Sequence, residues 1–114
     1  MLYWKSTCST CRDARKVLQT AEIAFSELNY SKTTLTPSDV ERIVAAAGSV
    51  AAVLNTRHAI AKDKGWKATP PSKSDFVAAV IEEPNLLRRP VLLVGTQPRA
   101  IIGFDEAQYA ALTK

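Results

Sequence analysis

Cys8 and Cys11 are the only cysteines in the 114-residue chain, and two residues separate them. Such a C-x-x-C pair fits thiol–disulfide or nucleophilic chemistry: one sulfur attacks, and the other, one helical turn on, resolves the product. Met1 to Trp4 is short, apolar and aromatic and reads as a strand, while Ala14, Val17, Leu18 and Ala21 form the stripe of an amphipathic helix. Cys8 therefore falls where a strand hands over to a helix, facing N–H groups without intrahelical partners and the positive end of the helix dipole. Lys5, Arg12 and Arg15 add positive charge nearby. Each effect favours the thiolate and lowers the thiol pKa below its free value of about 8.5. Cys8 is thus the expected nucleophile and Cys11 the expected resolving thiol. Two buried, unreactive cysteines are the competing reading, and the polar neighbours Ser6, Thr7, Ser9 and Thr10 would make a poor core wall. Structural zinc needs four clustered ligands, and His58 is the only histidine, so no metal site is expected beyond a two-ligand site shared with a partner.

The rest of the chain must position this pair. Its length suits one domain, and a hydrophobic content of 46% with 4 glycines and 6 prolines describes a globular chain. The net charge of +4 is spread evenly between the two halves, which argues against a direct nucleic-acid surface. The longest apolar run, Phe76 to Ile81, is far shorter than a membrane span. The first residues show no apolar signal-peptide core, so a cytoplasmic location is expected.

After the first helix, Ile23 to Leu28 reads as a second strand, and the β-α-β order favours parallel pairing. Residues 29–35 are polar and loop-like. Thr36-Pro37-Ser38-Asp39 announces a helix with a capping box, Val40, Ile43, Val44 and Ala47 as its buried stripe and Gly48 as its stop. Shorter helices are expected over Val50–Leu54 and His58–Lys64, a turn over Lys67–Pro71, and a helix capped by Ser72 and Asp75 that ends at Pro84. Val91–Val94 and Arg99–Ile102, separated by Gly95 to Pro98, read as a hairpin, and Asp105–Leu112 as a closing helix with Tyr109 and Leu112 inward. The expected fold class is α/β: a central mixed four-stranded sheet in the order β-α-β, helical insert, β-β-α, with helices on both faces.

A second signal precedes the third strand. In Leu86-Leu87-Arg88-Arg89-Pro90 the proline suits a strand opening, where its missing N–H needs no partner. A cis bond before Pro90 would leave backbone groups free near the thiol; a trans proline ending a loop is the plainer reading. The two arginines are a solvated rim or a guanidinium fork for an oxyanion. His58 is a base, a ligand or an ordinary histidine, and Trp4 and Trp66 are packing aromatics.

Cys8-Ser9-Thr10-Cys11-Arg12, then Leu86-Leu87-Arg88-Arg89-Pro90, then Ile102-Gly103-Phe104-Asp105-Glu106 resemble, in order and spacing, the bacterial arsenate reductase (ArsC) and Spx family along almost the whole chain. The resemblance implies a thioredoxin-like fold in a single domain, with a core at 1–30 and 85–114, a helical insert at about 36–83, and a cis Pro90 facing the cysteine loop. It implies a Cys8 thiolate that attacks a small oxyanion or disulfide, with Arg12, Arg57 (in Asn55-Thr56-Arg57) and Arg89 holding the substrate beside Pro90. Glutathione with glutaredoxin, or thioredoxin, would be the reductant and redox partner, with no tightly bound cofactor. Two positions depart from the arsenate-reducing members: they carry serine where Cys11 stands and a further arginine where Gly103-Phe104 stands. C-x-x-C is typical of the Spx-like branch, regulators that bind RNA polymerase and use the pair as an oxidation switch.

Overall fold

The computed structural model describes residues 1–95 and 99–112. Two compact units divide them: Met1–Thr33 with Arg89–Lys114, and Thr34–Arg88.

The first unit is a four-stranded mixed sheet with two helices. Its strands are β1 (Leu2–Trp4), β2 (Glu27–Asn29), β3 (Val91–Val94) and β4 (Arg99–Ile102), in the order β2-β1-β3-β4. β1 runs parallel to β2 and antiparallel to β3, and β3 and β4 form the expected antiparallel pair. The residues 96–98 of the expected hairpin turn lie outside the described residues. β2 begins at Glu27, later than the Ile23–Leu28 expectation: Ile23 and Phe25 pack against the core from the connecting segment, without strand pairing. Their apolar alternation reports burial, and the ladder forms only where Leu2, Tyr3 and Trp4 face Glu27, Leu28 and Asn29.

The register sets Leu2, Leu92 and Ile101 in one row across the sheet. With Trp4 they share a buried cluster with Cys11, Ala14 and Leu18 of helix α1 (Ser9–Thr20) and Tyr109 of helix α6 (Glu106–Ala111). Both helices of this unit therefore pack on the same face of the sheet. Tyr3, Val91 and Leu93 alternate to the opposite face and are buried too. Burying each such large side chain contributes about 1.5–3 kcal/mol relative to exposure. The α1 stripe is Cys11, Ala14 and Leu18; Val17, expected inside, is 36% exposed. Asp105 caps α6 by accepting from the Gln108 N–H at 3.1 Å, and Tyr109 points inward as expected.

The second unit is helical: α2 (Pro37–Ala47), α3 (Val50–Val53), α4 (Ala59–Asp63), α5 (Lys73–Glu82) and a 3₁₀ turn (Pro84–Leu86). The capping box of α2 forms as read, with Thr36 Oγ1 accepting from Asp39 N–H and Asp39 accepting from Thr36 N–H. Gly48 ends α2 at φ 91°, a left-handed conformation that other residues adopt at a cost. Val40, Ile43 and Val44 are its buried stripe, and Ala47 is only half-buried. Ser72 caps α5 through the Asp75 N–H. Among the described residues no helix is long and apolar enough to cross a membrane.

Candidate active site

β1 ends at Trp4, and a turn closed by the Cys8 N–H donating to the Lys5 carbonyl at 3.0 Å delivers Cys8 to the N-cap of α1. Cys8 has extended dihedrals (φ −103°, ψ 120°), so its side chain leaves the chain just before the helical N–H groups begin. Its sulfur makes no formed capping bond. Cys8 is half-buried, Cys11 is fully buried, and both are free thiols.

The two thiols differ in proton affinity. Burial works against an anion at Cys8, but the approaching Cys11 N–H, the Cys11 thiol and the Arg89 guanidinium outweigh it, and the Cys8 pKa lies below its ordinary value. Burial pushes the Cys11 thiol up to about 12; the Lys5 backbone opposes this, while the neighbouring Cys8 sulfur adds to it. One proton shared between the sulfurs therefore resides on Cys11, and Cys8 carries the charge.

Arg89 reaches Cys8 because of the strand register. Tyr3 stands opposite Val91, and continuing that antiparallel register past the strand end sets Arg89 and Pro90 alongside the start of the cysteine loop. The Arg89–Pro90 bond is cis, and the Pro90 carbonyl accepts from the Gly103 N–H at 2.8 Å.

The other basic residues near the loop have different roles. Arg15 forms a two-pronged pair with Glu27, 3.1 Å to each carboxylate oxygen, and stacks 5.0 Å over the Trp4 ring. It therefore joins α1 to β2 and gives the thiolate no direct support, contrary to the expectation from sequence proximity. Arg12 donates to the Ser6 carbonyl at 2.8 Å, closing the loop around Cys8. Cys8, Cys11, Arg12, Arg89 and Pro90 thus lie in one unit. Arg57 belongs to the other, exposed in a turn where its N–H donates to Asn55 Oδ1. His58 caps α4: its Nδ1 accepts from the Ile60 N–H, and its Nε2 stands 3.8 Å from Glu83. Its place in the structure is that of a capping residue, the ordinary reading of a lone histidine.

Two aromatic residues lie at the cysteine pair, and the sequence does not link either of them to it: Tyr109 is expected only as an inward core residue of the last helix. Tyr30, in the segment read as polar loop, and Tyr109 are both buried, and neither hydroxyl has a hydrogen-bond partner. Burial first, then Cys11 once it ionises at high pH, raises the pKa of both, Tyr109 to about 12. A tyrosine directly after β2, amid polar residues, was the available clue. Among the described residues no group of three or more His, Cys, Asp or Glu stands together as a metal site.

A family model described as ArsC family matches residues 3–112. The chain belongs to the ArsC family. Similar curated relatives include the global transcriptional regulator Spx 2 of Bacillus cereus, 28% identical over 109 residues that cover 95% of this chain and 82% of that protein. The global transcriptional regulator Spx of Streptococcus agalactiae is 29% identical over 111 residues, covering 96% and 80%. Among solved structures, the YFFB protein superposes with a TM-score of 0.80 at 24% identity, covering 99% of this chain and 97% of that one. The arsenate reductase from Vibrio cholerae gives 0.72 at 24% identity, covering 87% and 86%. These structures share the α/β, thioredoxin-like fold of this ArsC-family chain, with its mixed four-stranded sheet and flanking helices.

Proposed function

We propose that this ArsC-family chain is a thiol-dependent reductase in which the Cys8 thiolate attacks an oxyanion such as arsenate, or a disulfide. The observation that carries the reading is the opposition of the two thiols: Cys8 is half-exposed with its pKa lowered, and Cys11 is buried and held near 12. On a disulfide, Cys8 displaces one thiolate and forms a mixed disulfide. Cys11 gives up its proton and attacks the Cys8 sulfur, the second thiolate leaves, and the substrate has gained two electrons while a Cys8–Cys11 disulfide has formed. On arsenate, Cys8 adds to arsenic with loss of water. Attack on the Cys8 sulfur by a second thiol then sends the sulfur–arsenic bonding pair to arsenic, reducing it from the +5 to the +3 state.

Arg89 and Arg12 are the proposed anion ligands in the cysteine unit, beside Pro90, and Arg57 enters through its family motif alone. Glutathione with glutaredoxin, or thioredoxin, is the proposed reductant, with no tightly bound cofactor, in a cytoplasmic setting. The curated relatives support a second reading, an Spx-like redox switch that binds RNA polymerase, since they are named regulators and match nearly the whole chain. Turnover of arsenate and of a small disulfide, coupled to glutathione–glutaredoxin and to thioredoxin, tests the first, with a polymerase pull-down on the same sample testing the second. Coupled turnover without polymerase retention is expected. Polymerase retention with no turnover in any coupling would overturn the reductase reading.

A further inference from the structure

The loop that carries Cys8 is held from the side by residues of the neighbouring strand. Asn29, the last residue of β2, stands in parallel register with Trp4, the last of β1, and the Tyr30 N–H donates to the Trp4 carbonyl at 2.9 Å. Just beyond, Asn29 Oδ1 accepts three hydrogen bonds: from the Ser31 N–H at 3.1 Å, the Ser31 hydroxyl at 2.6 Å and the Ser6 N–H at 3.2 Å. Backbone N–H groups only donate, so the amide oxygen must face them. Because the Ser31 hydroxyl proton is given to Asn29, the 2.7 Å contact between Ser6 Oγ and Ser31 Oγ is a donation from Ser6. Ser31 Oγ also accepts from the Ser6 N–H, at 3.3 Å. The Ser6 carbonyl then accepts from Arg12. The chain Asn29–Ser31–Ser6–Arg12 thus grips the cysteine loop on both sides of Cys8, at Ser6 before it and at Arg12 after Cys11.

We propose that Asn29 and Ser31 are positioning residues for the nucleophile: by clasping Ser6 they keep the Lys5–Cys8 turn in the shape that brings the Cys8 sulfur to Arg89 and to the first turn of α1. The proposal deepens the thiolate reading above and rests on it. Support for an anion from N–H donors falls steeply with distance and angle, so a loop free to rotate at Ser6 would forfeit much of it without losing the sheet or the helix. The groups that lower the Cys8 pKa are Cys11 from α1 and Arg89 ahead of β3, both outside the substituted segment, while Tyr30, between the two substituted residues, is tied to β1 by its own N–H bond to the Trp4 carbonyl. An effect on the thiol would therefore pass through the position of the loop.

The test titrates the Cys8 thiolate by its ultraviolet absorbance in wild type, Asn29→Ala, Ser31→Ala and Ser31→Thr, with circular dichroism as the check on folding. The two alanine variants are expected to shift the Cys8 midpoint upward by about half a unit to one unit, a threefold to tenfold fall in its ionisation constant, one unit being a factor of ten. Ser31→Thr retains the hydroxyl and is expected to keep the wild-type midpoint. Folded alanine variants with the wild-type midpoint would overturn the clasp while leaving the thiolate reading intact. A wild-type midpoint at the free-thiol value would overturn both. Should Asn29→Ala fail to fold, Ser31→Ala decides, because Ser31 is exposed and its loss removes no core contact.

Discussion

Replacing Cys8 by serine is expected to cut turnover by a factor on the order of a thousand or more, while leaving the protein as stable as before or more so. The loss follows from the chemistry: a hydroxyl is not ionised near neutral pH and forms no disulfide, so both the nucleophile and the redox step disappear. The gain follows from local structure. Cys8 occupies the N-cap of α1 without a side-chain capping bond, and serine is among the residues that supply one. A new cap is worth about 0.5–1 kcal/mol, enough to raise Tm by a few degrees in a domain of this size. Activity and stability would thus move in opposite directions, the pattern of a site where the reactive residue is poor for folding. Coupled turnover and a thermal melt on the same preparation check it. Retained turnover would remove Cys8 from the mechanism; a lower Tm would show that its sulfur contributes to packing more than a cap can return.

Replacing Cys11 by alanine is expected to trap the reaction after its first step. Without a second thiol in the chain, a disulfide substrate stays attached to Cys8, and intact-mass measurement should find the adduct on most molecules where wild type shows little. Multiple turnover on a disulfide is expected to fall on the order of a hundredfold, since resolution then depends on an external thiol of ordinary encounter frequency in place of one held a helical turn away. The Cys8 midpoint should also rise, because the Cys11 thiol is one of the groups that favour the anion, though its backbone N–H remains. Removing a fully buried sulfur leaves a small void at a cost of about 1 kcal/mol. Wild-type turnover in this variant, with no trapped adduct, would mean that Cys8 acts as a single thiol and that Cys11 is a packing residue.

Much of this arrangement is legible in the sequence because it rests on local rules. Thr36, Pro37 and Asp39 cap α2 wherever they occur in such a spacing, Gly48 stops it, and the Val91–Val94 and Arg99–Ile102 runs pair across a short connection. The position of Cys8 at a strand-to-helix junction is equally local. What sequence proximity misjudges is the partnership of charges. Arg15 lies close to Cys8 along the chain yet pairs with Glu27, while Arg89, distant in sequence, reaches the thiol through the β1–β3 register. Tyr109 and Tyr30 likewise meet the cysteine pair only when α6 and the end of β2 are folded against α1. Asn29 and Ser31 sit in a stretch that reads as polar loop, and their hydrogen bonds to Ser6 exist only because the parallel register sets the end of β2 beside the end of β1. The Ile23–Phe25 alternation shows the reverse error, since burial of a connecting segment imitates a strand pattern.

The central claim is that Cys8 is an activated thiolate whose proton is held by Cys11. Its most direct test is the pH dependence of alkylation in the wild-type protein, with the labelled residue assigned by peptide mass. The rate should rise with pH as the thiol ionises, and a lowered pKa moves that rise to lower pH. The account predicts label on Cys8 alone, with a midpoint clearly below the free-thiol value of about 8.5. A midpoint at or above that value, or label appearing first on Cys11, would contradict it.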